Sequence, residues 1–412
     1  MMRRLGTKNF VLWGILALGL AVLAAPAPAH ADKMSDDFRR TLNAKETAAF
    51  DAWRAAQLFH SVALDAYWGK VEKKRSGRKA KKQRGRPLTA ADYVAEHPPK
   101  YEGPSLSAAL ARKWKEFREQ REAKDPPPPP SDPIATVADF LDSARRNYGF
   151  EPEIVPEPVF KERYAGEAIA LGLRPDQVLR VYALETGGLG TADMQAGVHP
   201  ISRKGTPIST ALGYAQLLAA NSVNELAKSG PDMLARLRAM IRRTAPEGER
   251  HKRLEAKLES LERMVQKARA VPYQWSRHVA FANTDVGRGI HAINLDGDIG
   301  PWLQIIKLKG LAQTAAEAGR GSLSGAEIEL MNLAGPGTGL EMMTPLGMGA
   351  STTNFFARAA YYRNTIVREK SSSELLVALD KRMEANLKNS GAVEFAEIFS
   401  RLQSRQRAGG SE

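Results

Sequence analysis

Apolar positions recur along most of this chain at helical spacing, three and four residues apart, and strand-like alternation is scarce. Residues 36–69 carry aromatic anchors Phe50, Trp53, Phe59, Tyr67 and Trp68. The pairs Phe50/Trp53 and Leu64/Trp68 suit one helix face. Ser105 to Lys124 reads as a second helix, with Leu106, Leu110, Trp114 and Phe117 in register. Further helical patterns run over Ile134–Tyr148, Phe160–Leu173 and Pro175–Leu184. In the last of these Val178, Val181, Tyr182 and Glu185 share a face. Pro175 sits in the first turn, where its missing amide costs nothing, and Gly187-Gly188 stops the helix. Residues 232–270 are charged and helical with a break near Pro246-Glu-Gly248. Trp302–Ala318, Ser324–Asn332, Phe355–Val367 and Ser373–Arg405 continue the pattern. The expected class is mainly α, with at most a small ribbon in 188–208.

The pattern breaks in three places, and each break suggests a boundary. Arg3, Arg4 and Lys8 precede the uncharged stretch Phe10–Ala25. Ala29 and Ala31 then place small residues at a cleavage site, so residues 1–31 have the layout of a secretory signal peptide. No later run is long and apolar enough to span a bilayer, so no transmembrane anchor is expected after cleavage. Pro126 to Pro130 is a semi-rigid spacer, and 126–133 is expected to be a linker. The expected organisation is a helical N-terminal region at 32–125, a catalytic domain at 134–405 and a disordered tail at 406–412.

Composition narrows the classes. Apolar residues make up 43% and charged residues 26%, which excludes a collagen, a mucin or a fully disordered chain. There is no Cys, hence no disulfide framework, thiolate zinc site, cysteine nucleophile or lipoprotein anchor. The net charge of +14 at first suggests nucleic acid. Residues 70–86, however, hold ten cations against the single Glu72; setting them and the three leader cations aside leaves +2. That run is expected to be a solvated basic loop, meeting anionic wall or membrane-surface groups if it has a partner. No nucleic-acid partner is expected for an exported chain.

Glu185 is the candidate acid. Periodicity places it on the buried face at a helix C-terminus. Desolvation and the negative helix end both disfavour its charged form there, as a general acid requires. Gly187, Gly188 and Gly190 beside it are expected to leave room for a bulky substrate. Asp193, Asp296 and Asp298 are the carboxylates considered as a hydrolase's second group. Asn-Leu-Asp296-Gly-Asp298 lacks the closing Glu of a calcium loop and reads as an Asx-rich turn. His199, His251, His278 and His291 form no helical zinc pair, so no metal and no cofactor are expected.

Four blocks in order resemble the soluble lytic transglycosylase domain of the lysozyme superfamily. Glu185-Thr186 stands at the family's Glu-Ser. Residues 210–217, Thr-Ala-Leu-Gly-Tyr-Ala-Gln-Leu, stand at Gly-Ala-x-Gly-Leu-Met-Gln-Leu. Residues 332–337, Asn-Leu-Ala-Gly-Pro-Gly, stand at Tyr-Asn-Ala-Gly-Pro-Gly, and Tyr362-Arg-Asn-Thr-Ile366 at the closing Tyr-Val-x-x-Ile. The blocks cover about 165–370, with 232–282 as an inserted helical hairpin and Leu333 at the usual loop Asn. The resemblance implies a lysozyme-like fold and an exported, periplasmic enzyme that cleaves peptidoglycan glycan strands. It implies Glu185 as acid and base. Thr186, Ser209, Gly213, Tyr214, Gln216, Asn332, Gly335, Gly337 and Tyr362 would line the substrate, with Tyr362 orienting Glu185 or the acetamido group. Two other readings stay open: an inactive wall-binding scaffold on the same fold, and a lysozyme-type hydrolase.

Overall fold

The computed structural model describes residues 28–122 and 133–409. Most of the expected signal peptide and of the proline linker lie outside the described residues. Among the described residues the secondary structure is helical. The expected ribbon is reduced to isolated bridges, Gln195 to Leu212 and Leu212 to Leu217. No helix among these residues is long and apolar enough to cross a membrane.

The N-terminal region is an arm of three helices, α1 (Pro28–Arg39), α2 (Ala44–Gln83) and α3 (Ala108–Glu122). Helix α1 passes through the expected cleavage point after Ala31. A reciprocal cap starts α2: the Asn43 side chain accepts from Glu46 N at 2.9 Å and the Glu46 carboxylate accepts from Asn43 N. The predicted stripe of α3 closes a satellite core. Phe38, Phe50 and Leu110 are buried there under Leu106, Trp53, Trp114 and Phe117. Phe59 is no anchor; it is exposed, as are Leu58 and Val62.

The basic run is not a loop. Residues 70–83 continue α2, and many of its cations are engaged within the molecule. Arg78 is 3% exposed; its Nε donates to Glu341 Oε1 at 2.7 Å and its Nη2 to Asn354 O at 2.5 Å. Arg75 donates to Thr353 O and Phe356 O, Lys81 pairs with Asp92, and Lys82 with Glu341. The Asn354 side chain joins Val94 through two hydrogen bonds, 2.8 and 2.9 Å. Tyr67, Trp68 and Val71 enter the main core beside Phe355, Phe356 and Tyr361. The run therefore clamps α2 onto the segment 341–356. Lys73, Lys79, Arg84 and Arg86 keep their exposure.

Two hydrophobic cores follow. One gathers α5 (Glu157–Ala170), α6 (Pro175–Thr186), α12 (Gly325–Ala334), α16 (Ser372–Asn386) and α17 (Ser390–Gly409). The other gathers α4 (Val137–Tyr148), α7 (Ala219–Ile241), α8 (Glu249–Ala270) and α10 (Asp285–His291), with α9 (Trp275–Ala282) at its edge. Helix α11 (Gly300–Glu317) belongs to both: Trp302 and Leu303 face the second core, Ile305, Leu308 and Leu311 the first. Helices α7 and α8 pack on one another across the turn 242–248, so the charged stretch forms a hairpin whose first arm already begins at 219. The expected single helix 373–405 is split between α16 and α17, and the expected tail is helical through Gly409. Between α12 and α16 the chain forms the short helices α13 (Pro336–Met342), α14 (Pro345–Gly349) and α15 (Arg358–Arg363). The expected helix 355–367 is thereby reduced to α15 and the turn Thr365–Val367.

The Asx turn at Asp296 is present, with its Oδ1 accepting from Asp298 N and Ile299 N. Lys257, Arg163 and Arg250 neutralise Asp296 and Asp298, so this acidic pair is an ion-pair network.

Candidate active site

Helix α6 delivers Glu185. Gln177 ties its start to Leu323 O at 2.8 Å, and Gly187 (φ 65°) ends it in the left-handed conformation. The glycines after it are not open to a substrate. A side chain at Gly188 would collide with Asn386 O, and Ala392 N donates to Gly188 O. The smallness of Gly188 admits the α16–α17 junction instead, and that of Gly190 admits the Thr186 side chain.

Glu185 is 5% exposed and lines a cavity of about 630 Å³, a volume usual for a ligand pocket. The cavity opens where the two cores meet. Helix α7 contributes Asn221, Asn224, Glu225 and Lys228; α11 contributes Lys307, Gly310, Leu311 and Thr314. Each set is spaced i, i+3, i+4, i+7, a single face. Helix α12 supplies Glu329 and Asn332, and Phe355 and Phe356 form the wall held by the arm.

The chemistry lies in a pair of carboxyls. Glu329 is fully buried, and its carboxyl stands beside that of Glu185. The Asn332 amide donates to both, 3.2 Å to Glu185 Oε1 and 3.3 Å to each oxygen of Glu329. Burial first, then the Glu329 charge and hydrogen bond, hold the Glu185 carboxyl well above the usual carboxylate range; the charges of Lys307 and Arg382 oppose this. Burial also pushes Glu329 up to about 7, against the pull of Glu185, Lys307 and Asn332. Two such groups in contact titrate as a unit and keep one proton between them near neutrality. Lys307, half-buried, has its own pKa lowered by desolvation.

Gln216 reaches the same cavity with a strained backbone, φ 43°. Its amide nitrogen donates to Met194 O and Gly213 O. Its Oε1 is buried without a partner among the described residues and is an open acceptor for a ligand.

Of the expected site residues, the fold brings Glu185, Gln216, Asn332 and Gly335 together around the cavity. The others do not line it. Thr186 is buried and donates to Tyr182 O at 2.7 Å. Ser209 Oγ accepts from Ala211 N within its own turn. Gly213 (φ 77°) leaves space for the Gln304 amide, which a side chain there would strike. Tyr214 is a core residue whose hydroxyl donates to Glu157. Gly337 lies in α13, just past Gly335. Tyr362 does not orient Glu185: its hydroxyl accepts from Trp68 Nε1 at 3.5 Å, and the neighbouring Tyr361 hydroxyl accepts from Glu369 N. Asn332 does the orienting instead. Asp193 is taken up by Arg203 at 2.8 Å and does not line the cavity.

Sequence reasoning missed Glu329, Lys307, Glu225 and the polar stripe of α7. A charge embedded in Ile328-Glu-Leu-Met331 was one available signal, and the helical spacing of 221, 224, 225 and 228 another. No family model, curated protein or solved structure matches this chain.

Proposed function

We propose that the chain is an exported, periplasmic lytic transglycosylase, cleaving the β-1,4 bond between N-acetylmuramic acid and N-acetylglucosamine in peptidoglycan. The observation that carries this reading is a buried pair of carboxyls, Glu185 and Glu329, lining a ligand-sized cavity where burial favours the acid form. The motif resemblance supplies the substrate class.

Glu185 donates its proton to the bridging oxygen as the glycosidic bond breaks. The acetamido oxygen of the same muramic acid closes on the anomeric carbon and carries the developing positive charge. Glu185, now a carboxylate, takes the proton of that sugar's C6 hydroxyl. The C6 oxygen attacks the anomeric carbon, releases the acetamido group and leaves a 1,6-anhydro end. Glu185 recovers its proton, so no water is consumed. The open Oε1 of Gln216 suits an acetamido N–H. Asn332 holds both carboxyls in place during the transfer.

Ordinary hydrolysis is less well served. An inverting pair stands roughly 6.5–9.5 Å apart and a retaining pair about 5–5.5 Å. Glu185 and Glu329 both accept from the one Asn332 side-chain nitrogen, so the two carboxyls sit side by side rather than on opposite faces of a sugar.

The test is incubation of the protein with purified sacculi, followed by mass spectrometry of the released muropeptides. Anhydro products lost in Glu185→Gln are expected. Reducing-end products would replace this reading with a hydrolase, and binding without release would replace it with a scaffold.

A further inference from the structure

The α7–α8 hairpin ends in an unusual exposure of aromatic surface. Tyr273 is 62% and Trp275 47% exposed, and both line the mouth of the cavity that holds Glu185. Trp is highly buried on average, so solvent-facing Trp beside a cavity is informative. The hairpin itself is well packed, with Leu254, Leu261, Met264, Val265 and Ala268 buried along α8. The exposed aromatics thus sit in the turn after α8 and at the first residue of α9.

That turn is held in place. The Tyr273 ring meets the edge of His278 at 5.4 Å, and His278 Nδ1 shares a hydrogen bond with the Asn224 amide at 3.0 Å. Asn224 belongs to the polar stripe of the cavity, with Asn221, Glu225 and Lys228. The mouth thus combines aromatic faces, amides and a cation. A pyranose ring presents axial C–H groups to an aromatic face and equatorial hydroxyl and acetamido groups to amides.

We infer that Tyr273 and Trp275 form a sugar-stacking subsite for a β-1,4-linked N-acetylhexosamine strand, placing the strand across the Glu185 cavity. This inference rests on the proposed function for the identity of the strand. The charged hairpin, which the motif resemblance leaves unexplained, then serves to carry an aromatic platform to the substrate.

The full chain carrying Glu185→Gln, which removes the proton donor, serves as parent. Its affinity is measured with a soluble β-1,4-linked N-acetylglucosamine hexamer by calorimetry and with sacculi by co-sedimentation. Adding Trp275→Ala or Tyr273→Ala is expected to weaken both about tenfold, the equivalent of one well-placed contact, with the thermal midpoint unchanged for Trp275→Ala and at most slightly lowered for Tyr273→Ala, which also gives up the His278 contact. Trp275→Phe should retain most of the affinity but lose part of the hexamer-induced change in tryptophan fluorescence. Unchanged affinity in both alanine variants would overturn the subsite while leaving anhydro-product release by the native protein intact. A parent that binds neither hexamer nor sacculi, with a native protein that releases nothing, would overturn the function and the subsite together.

Discussion

Two buried carboxylate clusters in this molecule are built in opposite ways. At the arm, Glu341 is surrounded by cation: Arg78 lies against it, Lys82 pairs with it, and the Tyr93 hydroxyl donates to it at 3.3 Å. At the cavity, Glu185 and Glu329 face each other, with a neutral amide bridging them and Lys307 acting only through its charge. The first arrangement satisfies its charge and holds two parts of the chain together. The second retains an excess of negative charge and answers it by keeping a proton. A buried acid without a matched cation is costly unless it is neutral, and a neutral acid facing a cavity is what proton donation needs. The contrast distinguishes a carboxyl that clamps the fold from one suited to proton donation better than burial does, which they share.

Substitutions should separate the two clusters. The largest effect is expected from Glu185→Gln, which should lower muropeptide release by about 10²–10⁴-fold with the thermal midpoint retained, since the amide keeps the shape of the neutral acid. Next, Arg78→Ala should destabilise the fold by about 3–5 kcal/mol, because it leaves Glu341 buried without its main partner. Chemical denaturation measures this, and a loss below about 1 kcal/mol would make the clamp incidental.

Glu329→Gln tests the pair itself. Removing the Glu329 charge lowers the Glu185 pKa, so the acid form is lost at lower pH. The alkaline limb of the pH–rate profile should move toward acid, while activity near pH 5 should stay within about tenfold of native. An unmoved limb would mean that Glu329 does not keep the proton on Glu185.

The same substitution has a smaller signature in stability. Glu329 has a folded pKa of about 7, above its unfolded value. The folded state therefore binds more protons than the unfolded state between them. This contribution is fully present below the unfolded pKa and is lost as pH rises to about 7. Denaturant midpoints should fall over that window in the native protein and fall less in Glu329→Gln. The smallest effect is expected from Lys70→Ala, which removes a solvent-screened pair with Glu96 and should leave the denaturation midpoint unmoved.

Much of the helical framework was legible in the sequence because it depends on local periodicity. The α3 stripe of Leu106, Leu110, Trp114 and Phe117 packs as its spacing predicts, and the buried face of α6 carries Glu185 as Val178 and Val181 indicate. Phe59 fits the same kind of pattern and is exposed, since periodicity names a face but not what covers it. The basic run was misread for a related reason. Ten cations within residues 70–86 predict repulsion and solvation, and only the acceptors of residues 341–356, more than 250 positions away, turn them into a clamp. Tyr362 stands away from the Glu185 cavity, where the arm's Trp68 donates to its hydroxyl.

By itself, the sequence determined the class of fold, the helix that carries Glu185 and the chemical character of that residue. Side-chain spacing, a helix end and a glycine stop all act within a few residues of each other. Only the tertiary structure decided that Glu329 would share its proton, that Asn332 would bridge the pair and that two aromatics from a charged hairpin would stand at the mouth. Those relations join groups far apart along the chain; Asn332 stands 147 positions from Glu185. Charge and dielectric act through space, so no local pattern can carry them.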